Sequence, residues 1–424
     1  MKATKIFMMA ALALTFAACS NNDDNDFAQQ PAAQPANGEI TITAILDAND
    51  GASTRALGID GSNIASTWKT TDQFAILYNN GTDNTKSIAT VDKIDGTTVT
   101  ITFTIPASLA SNTPCTIVYP ASAAKADNTG ADVATALAAQ DGTIGNCPEV
   151  RVGTATIDKD NHNLSSVTKL VAQNAIFKFT LQDLSAGAKS ATEFKVSDGS
   201  GNVMTTVTSG SASGELYVAL PVMAAGTYWF NAIIDSKPYI AKATMAAATV
   251  AGKYYQTTVK MATIGDVILS DGKFAARSST GTKVAMIAYL GSETDHATYK
   301  HGLALALSDE ATKMKWTEAT GASGAAAHTP AAPTTTSSWM LPSKDQWNKM
   351  IGACKSVLGT KNNYQDLRDG FSGITGASNL QSGDYWSSTE LDSSDAWGYD
   401  FVNGNGFRIS KDYNNARVRA CLAF

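Results

Sequence analysis

From Glu39 onward the chain repeatedly alternates apolar and polar residues. Glu39-Ile-Thr-Ile-Thr-Ala-Ile-Leu46 carries the period of two that marks a half-buried strand. Trp68-Lys-Thr-Thr-Asp-Gln-Phe-Ala-Ile-Leu-Tyr78 leads into an Asn79-Asn80-Gly81 turn, Thr97 to Pro106 alternates again, and Cys115-Thr-Ile-Val-Tyr-Pro120 follows. Short strands at this spacing predict an antiparallel sandwich. Ala121 to Gly145 is rich in alanine and polar residues and predicts loop with a helical turn. A second series starts near Leu164: Asn174–Leu181, Glu193–Val196, Glu215–Pro221, Thr227–Ile234 and Tyr254–Met261, with Asp198-Gly199 and Ser200-Gly201 among its turns.

Near Met261 the pattern changes. Ile264–Phe274 reads as strand then turn, Val284–Leu290 as a buried strand and Gly302–Leu307 as another. Gly321–Ser338 is low in complexity and predicts an exposed loop. Then Ser343 and Gln346 form a capping-box pair, Trp347, Met350, Ile351, Cys354 and Leu358 recur at helical spacing, and Gly359 stops the helix. Tyr385–Thr389, Ala396–Phe401, Phe407–Ser410 and Ala416–Phe424 return to strand. The expectation is a mainly β chain: an N-terminal β-sandwich at 39–163, a second β-sandwich at 164–262, and an α+β domain at 263–424.

The start of the chain adds a destination. Lys2 and Lys5 precede the apolar run Ile6–Phe16, too short to span a bilayer as a helix, and Phe16-Ala17-Ala18-Cys19 puts small residues before a cysteine. Residues 1–19 therefore resemble a bacterial lipoprotein signal. That resemblance implies cleavage before Cys19, lipidation of its thiol (a palmitate-type anchor) and attachment to the cell outer membrane. Ser20–Asp26 is acidic and has no apolar residue to pack, and 27–38 continue a polar tether. A similar acidic run follows the lipid cysteine in Bacteroides-type proteins exported to the outer face. Charged residues are sparse and the net charge is -6, which argues against nucleic acid as a partner.

Four further cysteines are an even number in an exported chain. Pairing Cys115 with Cys147 and Cys354 with Cys421 gives one disulfide per region. Two other pairings, or four free buried thiols, are equally compatible with the sequence. His162, His296, His301 and His328 are scattered, and the chain lacks a His-Glu-x-x-His motif, a phosphate-binding glycine loop and a Gly-x-Ser-x-Gly elbow. The expectation is a protein that is not an enzyme and needs no cofactor. Asp384, Glu390, Asp392, Asp395, Asp400, Asn403, Asn405, Asp412 and Asn414 offer hard oxygen ligands that would suit calcium, although no Glu-Pro-Asn or Trp-Asn-Asp sugar-site signature accompanies them.

Taken in order, the lipoprotein start, the Ile40–Leu46 strand, Thr54-Arg55-Ala56, Trp68–Phe74 and Ala175-Ile-Phe-Lys-Phe179 resemble the fimbrillin family of pilus subunits, two tandem β-sandwiches. The resemblance implies cleavage after Arg55 by an arginine-specific protease, leaving Ala56 as N-terminus and shedding the first strand. A strand from a neighbouring fimbrial subunit then fills the groove by donor-strand addition. Residues 263–424 resemble the C-type-lectin-like C-terminal domains of surface proteins through Gly265–Lys273, Trp339–Trp347, Tyr385–Glu390 and Val418–Phe424. This implies an adhesin, a last strand committed to its own domain and hence a tip position in a fimbrium. The ligand would be a host or bacterial surface glycan or protein. Candidate contacts are Tyr385, Trp386, Trp397, Tyr399, Asn403, Asn405 and Tyr413, because aromatic rings dominate recognition surfaces. The alternative is a stand-alone surface lipoprotein that captures its ligand without polymerising.

Overall fold

The computed structural model describes residues 38–47, 58–60, 63–65, 68–96, 98–359 and 363–424. Among them the chain is mainly β. The opening strand, Glu39–Asp47, pairs antiparallel with Thr98–Pro106 over its full length, Glu39 opposite Pro106 and Asp47 opposite Thr98. The sheet continues through Asn84–Asp95, Gln73–Asn79, Thr113–Tyr119 and Arg151–Asp158. Asn163–Ser165 then pairs antiparallel with Arg151–Asp158 and parallel with the opening strand, so the sheet closes on itself. Period-two alternation explains the closure: Ile42, Ala44 and Leu46 face inward with Val99, Ile101, Phe103, Ile105, Phe74, Ile76, Ile117 and Ile157. Because Val171–Ala172 also joins Arg151–Asp158, this sheet runs past the expected boundary at residue 164.

The second unit is a two-layer sandwich. One layer holds Asn174–Asp183, Glu215–Pro221 and Tyr254–Thr263; the other holds Ala191–Ser197, Val203–Ser213, Gly226–Ile234 and Lys237–Met245. The layers join where Tyr239 and Ile240 pair with Thr263 and Ala262, and they enclose Phe177, Phe179, Phe194, Val218, Phe230 and Met261. The sandwich is not wholly antiparallel. Asn174–Asp183 and Tyr254–Thr263 run parallel, Ile176 opposite Tyr254, because the chain leaves one layer and returns to it through the other.

Ala121–Gly145 is more than a loop. The short helix Val133–Leu137, capped by Asp132 accepting from Thr135 N at 3.1 Å, delivers Ala139–Gln140 into the second unit, where it pairs parallel with Val203–Ser213. The Gln140 side-chain nitrogen lies 2.9 Å from Leu137 O, 2.9 Å from Thr205 Oγ1 and 2.7 Å from Ala219 O. Its oxygen accepts from Ala219 N at 2.8 Å, and Tyr217 N donates to Gly142 O at 2.9 Å. A segment that precedes the second sandwich in sequence thus satisfies the edge of its Glu215–Pro221 strand. A shared apolar layer, with Ala75, Leu77 and Val118 on one side and Ile176, Tyr217 and Ala219 on the other, welds the two units.

The C-terminal unit is α+β. A five-stranded sheet orders Phe274–Ala275, Val267–Leu269, Lys283–Leu290, Gly302–Ala306 and Cys421–Ala423, with the helix Lys344–Leu358 packed on it. Asp384–Glu390, Asp395–Asp400 and Asn405–Ser410 form a separate three-stranded sheet. The 321–338 stretch is not simply exposed: Ala325, His328, Thr336 and Ser337 are buried, and Trp339 Nε1 donates to Pro330 O at 2.8 Å. The reason is the tryptophan, whose indole N–H needs a buried acceptor and pulls the segment onto the domain.

This unit is built onto the second sandwich. Trp229, Ile240 and Ala262, on the outside of that sandwich, belong to the C-terminal core. The His301 ring stacks on Trp229 with centroids 3.8 Å apart, and Lys237 Nζ donates to Val357 O at 3.0 Å. Burial, reinforced by the nearby Lys242 charge, lowers His301 from its ordinary value of 6.5 to about 4. A base depressed in the folded state stabilises it above the unfolded pKa and loses that contribution as pH falls through the folded one. Acidification from pH 6.5 to 4 should therefore lower the stability of the folded chain through this residue. His301→Phe, which keeps the stack without a titrating group, should flatten that limb of the urea-midpoint profile, while an unchanged profile would remove His301 as its source.

Candidate functional site

The opening strand occupies a groove that is a candidate site for strand exchange. Its inner face contributes Ile42, Ala44 and Leu46 to the core, while its outer face carries Thr41, Thr43 and Ile45, the last 66% exposed. On one flank it is bound by the whole of Thr98–Pro106. On the other the contact is slight: Thr43 pairs with Asn163, Thr43 N donates to His162 O at 3.1 Å, and Leu170 N donates to Asp47 O at 3.3 Å. Its loss would uncover one side of a nine-residue strand and a trough matched to a branched, a small and a branched side chain at alternate positions. Arg55 and Ala56, where cleavage was expected, and Cys19, the expected lipid site, lie outside the described residues.

The C-terminal candidates separate into core and surface. Tyr385 and Trp386 are fully buried and Tyr399 nearly so, which removes all three as ligand contacts. Tyr385 OH donates to Asp309 Oδ2 at 2.8 Å and accepts from Gln381 N at 2.8 Å, and Asp309 Oδ1 is held by the buried Arg419 Nε at 2.7 Å. Trp386 Nε1 donates to Met314 O at 2.8 Å, and its carbonyl accepts from Trp347 Nε1 at 3.1 Å. Tyr399 OH reaches Lys344 O at 3.2 Å and Asn348. Burial drives the Tyr385 hydroxyl well above its ordinary range and raises Tyr399 to about 12. These large rings do what aromatic groups do most cheaply, filling a core while each polar tip finds one partner.

Trp397 is half-buried, but the Lys344 ammonium sits 3.4 Å from its ring centroid. A ligand stacking on that ring face must first displace the cation. Lys344 opens the helix that Ser343 caps, and no local pattern in the sequence marks its contact with the Asp395–Asp400 strand. Asn403 and Asn405 are exposed in the hairpin after Asp400, where Asn403 Nδ2 donates to Asp400 Oδ2 at 2.6 Å. Tyr413 is half-buried and accepts from Asn415 Nδ2 at 3.3 Å. Trp397 stands opposite Arg408 and Asn405 opposite Asp400, so alternation along the hairpin puts these two on opposite faces of the sheet.

The carboxylates proposed for calcium are otherwise engaged. Asp395 pairs with Arg408, Glu390 with Lys411, and Asp412 with Lys315 at 3.1 Å. Asp392 accepts from Ser394 N and Asp395 N, which holds its carboxyl below the ordinary range. Among the described residues no three His, Cys, Asp or Glu side chains converge as metal ligands would.

Both expected disulfides are replaced by free, buried thiols. Cys115 packs inside the first closed sheet, whereas Cys147 lies in the layer outside it, against the second sandwich. Cys354 Sγ points to Ala288 O at 3.5 Å, while Cys421 Sγ lies 3.9 Å from Gln346 Oε1. Gln346 and Cys354 are separated by two turns of one helix, about 12 Å along its axis, whereas bridged Cα atoms stand within roughly 7 Å. Burial raises all four thiols, Cys115 to about 12.

No family model and no curated protein matches the chain. Solved structures do. A fimbrial protein of Bacteroides ovatus is 13% identical, with 92% of this chain and 100% of that one covered and a TM-score of 0.29. A fimbrial assembly protein of Parabacteroides distasonis is 10% identical over 52% and 90% of the two chains, with a TM-score of 0.28. The tip fimbrial protein Mfa3 of Porphyromonas gingivalis, truncated at its C-terminus, is 10% identical over 53% and 98%, with a TM-score of 0.26. Likeness at these TM-scores carries no argument for fold or role.

The thiols give a direct expectation. Cys115, Cys147, Cys354 and Cys421 should resist iodoacetamide in the native protein, because the thiolate is the reactive form. All four should alkylate in guanidinium without any reductant, read by peptide mass. Recovery of any of them only after reduction would restore a disulfide.

Proposed function

We infer that this chain is a non-enzymatic cell-surface adhesin of fimbrillin type, and that its opening strand is an exchangeable element. The observation that carries this reading is the strand's position. Glu39–Asp47 supplies three core side chains and pairs along its length with one neighbour. The chain that follows it passes through Arg55 before the Gly58–Asp60 strand. A cut after Arg55 therefore leaves the strand held by non-covalent contacts alone. Burial of Ile42 and Leu46 contributes about 3–6 kcal/mol, enough to retain the strand after cleavage yet replaceable by an incoming strand with the same alternation. An open edge with unpaired N–H and C=O groups is the surface that strand addition uses.

The reading extends to lipidation at Cys19, residence at the cell outer membrane before processing, and incorporation into a fimbrium beside a neighbouring subunit. A tip position is supported by Cys421–Ala423. That strand is fully buried and paired with Gly302–Ala306, and the Phe424 carbonyl accepts from His301 N at 2.7 Å and Gly302 N at 3.1 Å. Such a strand cannot leave to serve another subunit without dismantling its own domain. The lectin-like C-terminal unit would present the glycan or protein ligand site.

The decisive measurement is the N-terminus and intact mass of the protein from its native cell surface. Ala56 should be the mature N-terminus. Limited digestion of the full chain with trypsin should cut first after Arg55, and a synthetic peptide spanning 39–47 should then exchange with the retained strand. Acylated Cys19 with residues 20–55 retained on every copy would instead identify a stand-alone surface lipoprotein.

A further inference from the structure

The second sandwich presents one outer face that the C-terminal unit covers only in part. On that face Glu193, Lys195 and Ser197 stand opposite Ile233, Asn231 and Trp229, and the last two stand opposite Ile240 and Lys242. The C-terminal core takes Trp229 and Ile240. The uncovered remainder, facing Leu290–Ser292 and Lys300–His301, encloses a cleft of about 390 Å³. That volume lies in the range of small-molecule sites, and clefts between units are where such sites concentrate. Its walls are fixed to each other: His301 stacks on Trp229, and Lys237 reaches Val357 O.

The chemistry of the lining is one-sided. Ser197 is 4% exposed, Asn231 is half-buried and Lys300 is exposed, and all three line the cleft with side-chain polar groups that no other described residue engages. Polar groups that keep their hydrogen-bonding capacity free along a cleft are available to a ligand that enters it. The carboxylate in the cleft is already used: Glu193 accepts from Lys195 Nζ at 2.7 Å. That leaves the Lys300 charge unbalanced beside neutral donors, with Tyr239, Val203, Pro238 and Leu290 supplying apolar wall. Donors in excess, one free cation and an apolar flank match a small hydroxylated carboxylate.

We propose that this cleft binds an acidic sugar, with Lys300 on the carboxylate and Asn231 and Ser197 on ring hydroxyls. The site does not depend on strand exchange and is not made by the C-terminal aromatic residues.

The test uses the full chain, glucuronic acid and N-acetylneuraminic acid as probes, and methyl glucoside as the neutral control, read by saturation-transfer NMR and titration. The acidic sugars should bind with a dissociation constant on the order of 1 mM, and the neutral one about tenfold more weakly. Lys300→Glu should abolish the preference for acid. Val203→Trp, at an exposed position on the cleft wall, should abolish binding without moving the melting temperature. Absence of acidic-sugar binding at ~50 mM, fifty times that constant, would overturn the proposal. So would equal binding of the neutral sugar, or binding that both variants leave unchanged.

Discussion

Strand Thr98–Pro106 needs a hydrogen-bonded partner along its whole outer side, and the first unit is organised by which segment supplies it. Glu39–Asp47 does so in one uninterrupted register and at the same time places Ile42, Ala44 and Leu46 in the core. Backbone satisfaction and apolar burial are thus delivered by one segment. The same coincidence makes the segment replaceable, because any strand of like alternation satisfies both demands at once. Its other flank touches Asn163–Ser165 at little more than Thr43, so one long ladder carries most of its backbone pairing.

The second unit meets the same demand differently. Its Glu215–Pro221 edge is served by Gly142 O and by the side chain of Gln140, which the chain carries across from the first unit. A glutamine amide presents a donor and an acceptor in one plane and so imitates a strand's backbone. This edge is closed by covalently tethered chain and cannot be vacated without unfolding Val133–Leu137 and parting the shared apolar layer. One unit closes its edge with a terminal strand, the other with a segment tethered at both ends. Trp229 and His301 fix the third unit in turn, so apolar packing runs without a break from the first unit to the C-terminal domain.

Much of this was legible from periodicity. The alternating runs became strands, and Ser343, Gln346, Trp347, Met350 and Cys354 took their cap and core places on the long helix. What escaped were relations between distant segments. Nothing local in Ala139–Gln140 distinguishes a bridging strand from loop, since two residues have no measurable period. The parallel pairing of Asn174–Asp183 with Tyr254–Thr263 likewise leaves no trace in alternation, which reports burial and not direction. Even cysteine number misled, because an even count is also what four independently buried thiols produce.

The aromatic-rich end shows why residue type alone does not tell a core ring from a contact ring. Tyr385, Trp386 and Tyr399 each combine a large apolar ring with one polar tip, and that combination serves a recognition surface or a core equally well. The deciding quantity is whether a buried partner exists for the tip. Asp309, Met314 and Lys344 provide one for each, so the rings turn inward. Between the units, by contrast, Ser197, Asn231 and Lys300 line a cleft with polar groups that packing has not used. What separates the two uses of a ring or a polar tip is therefore whether packing supplies its partner, a relation between distant segments that residue type does not encode.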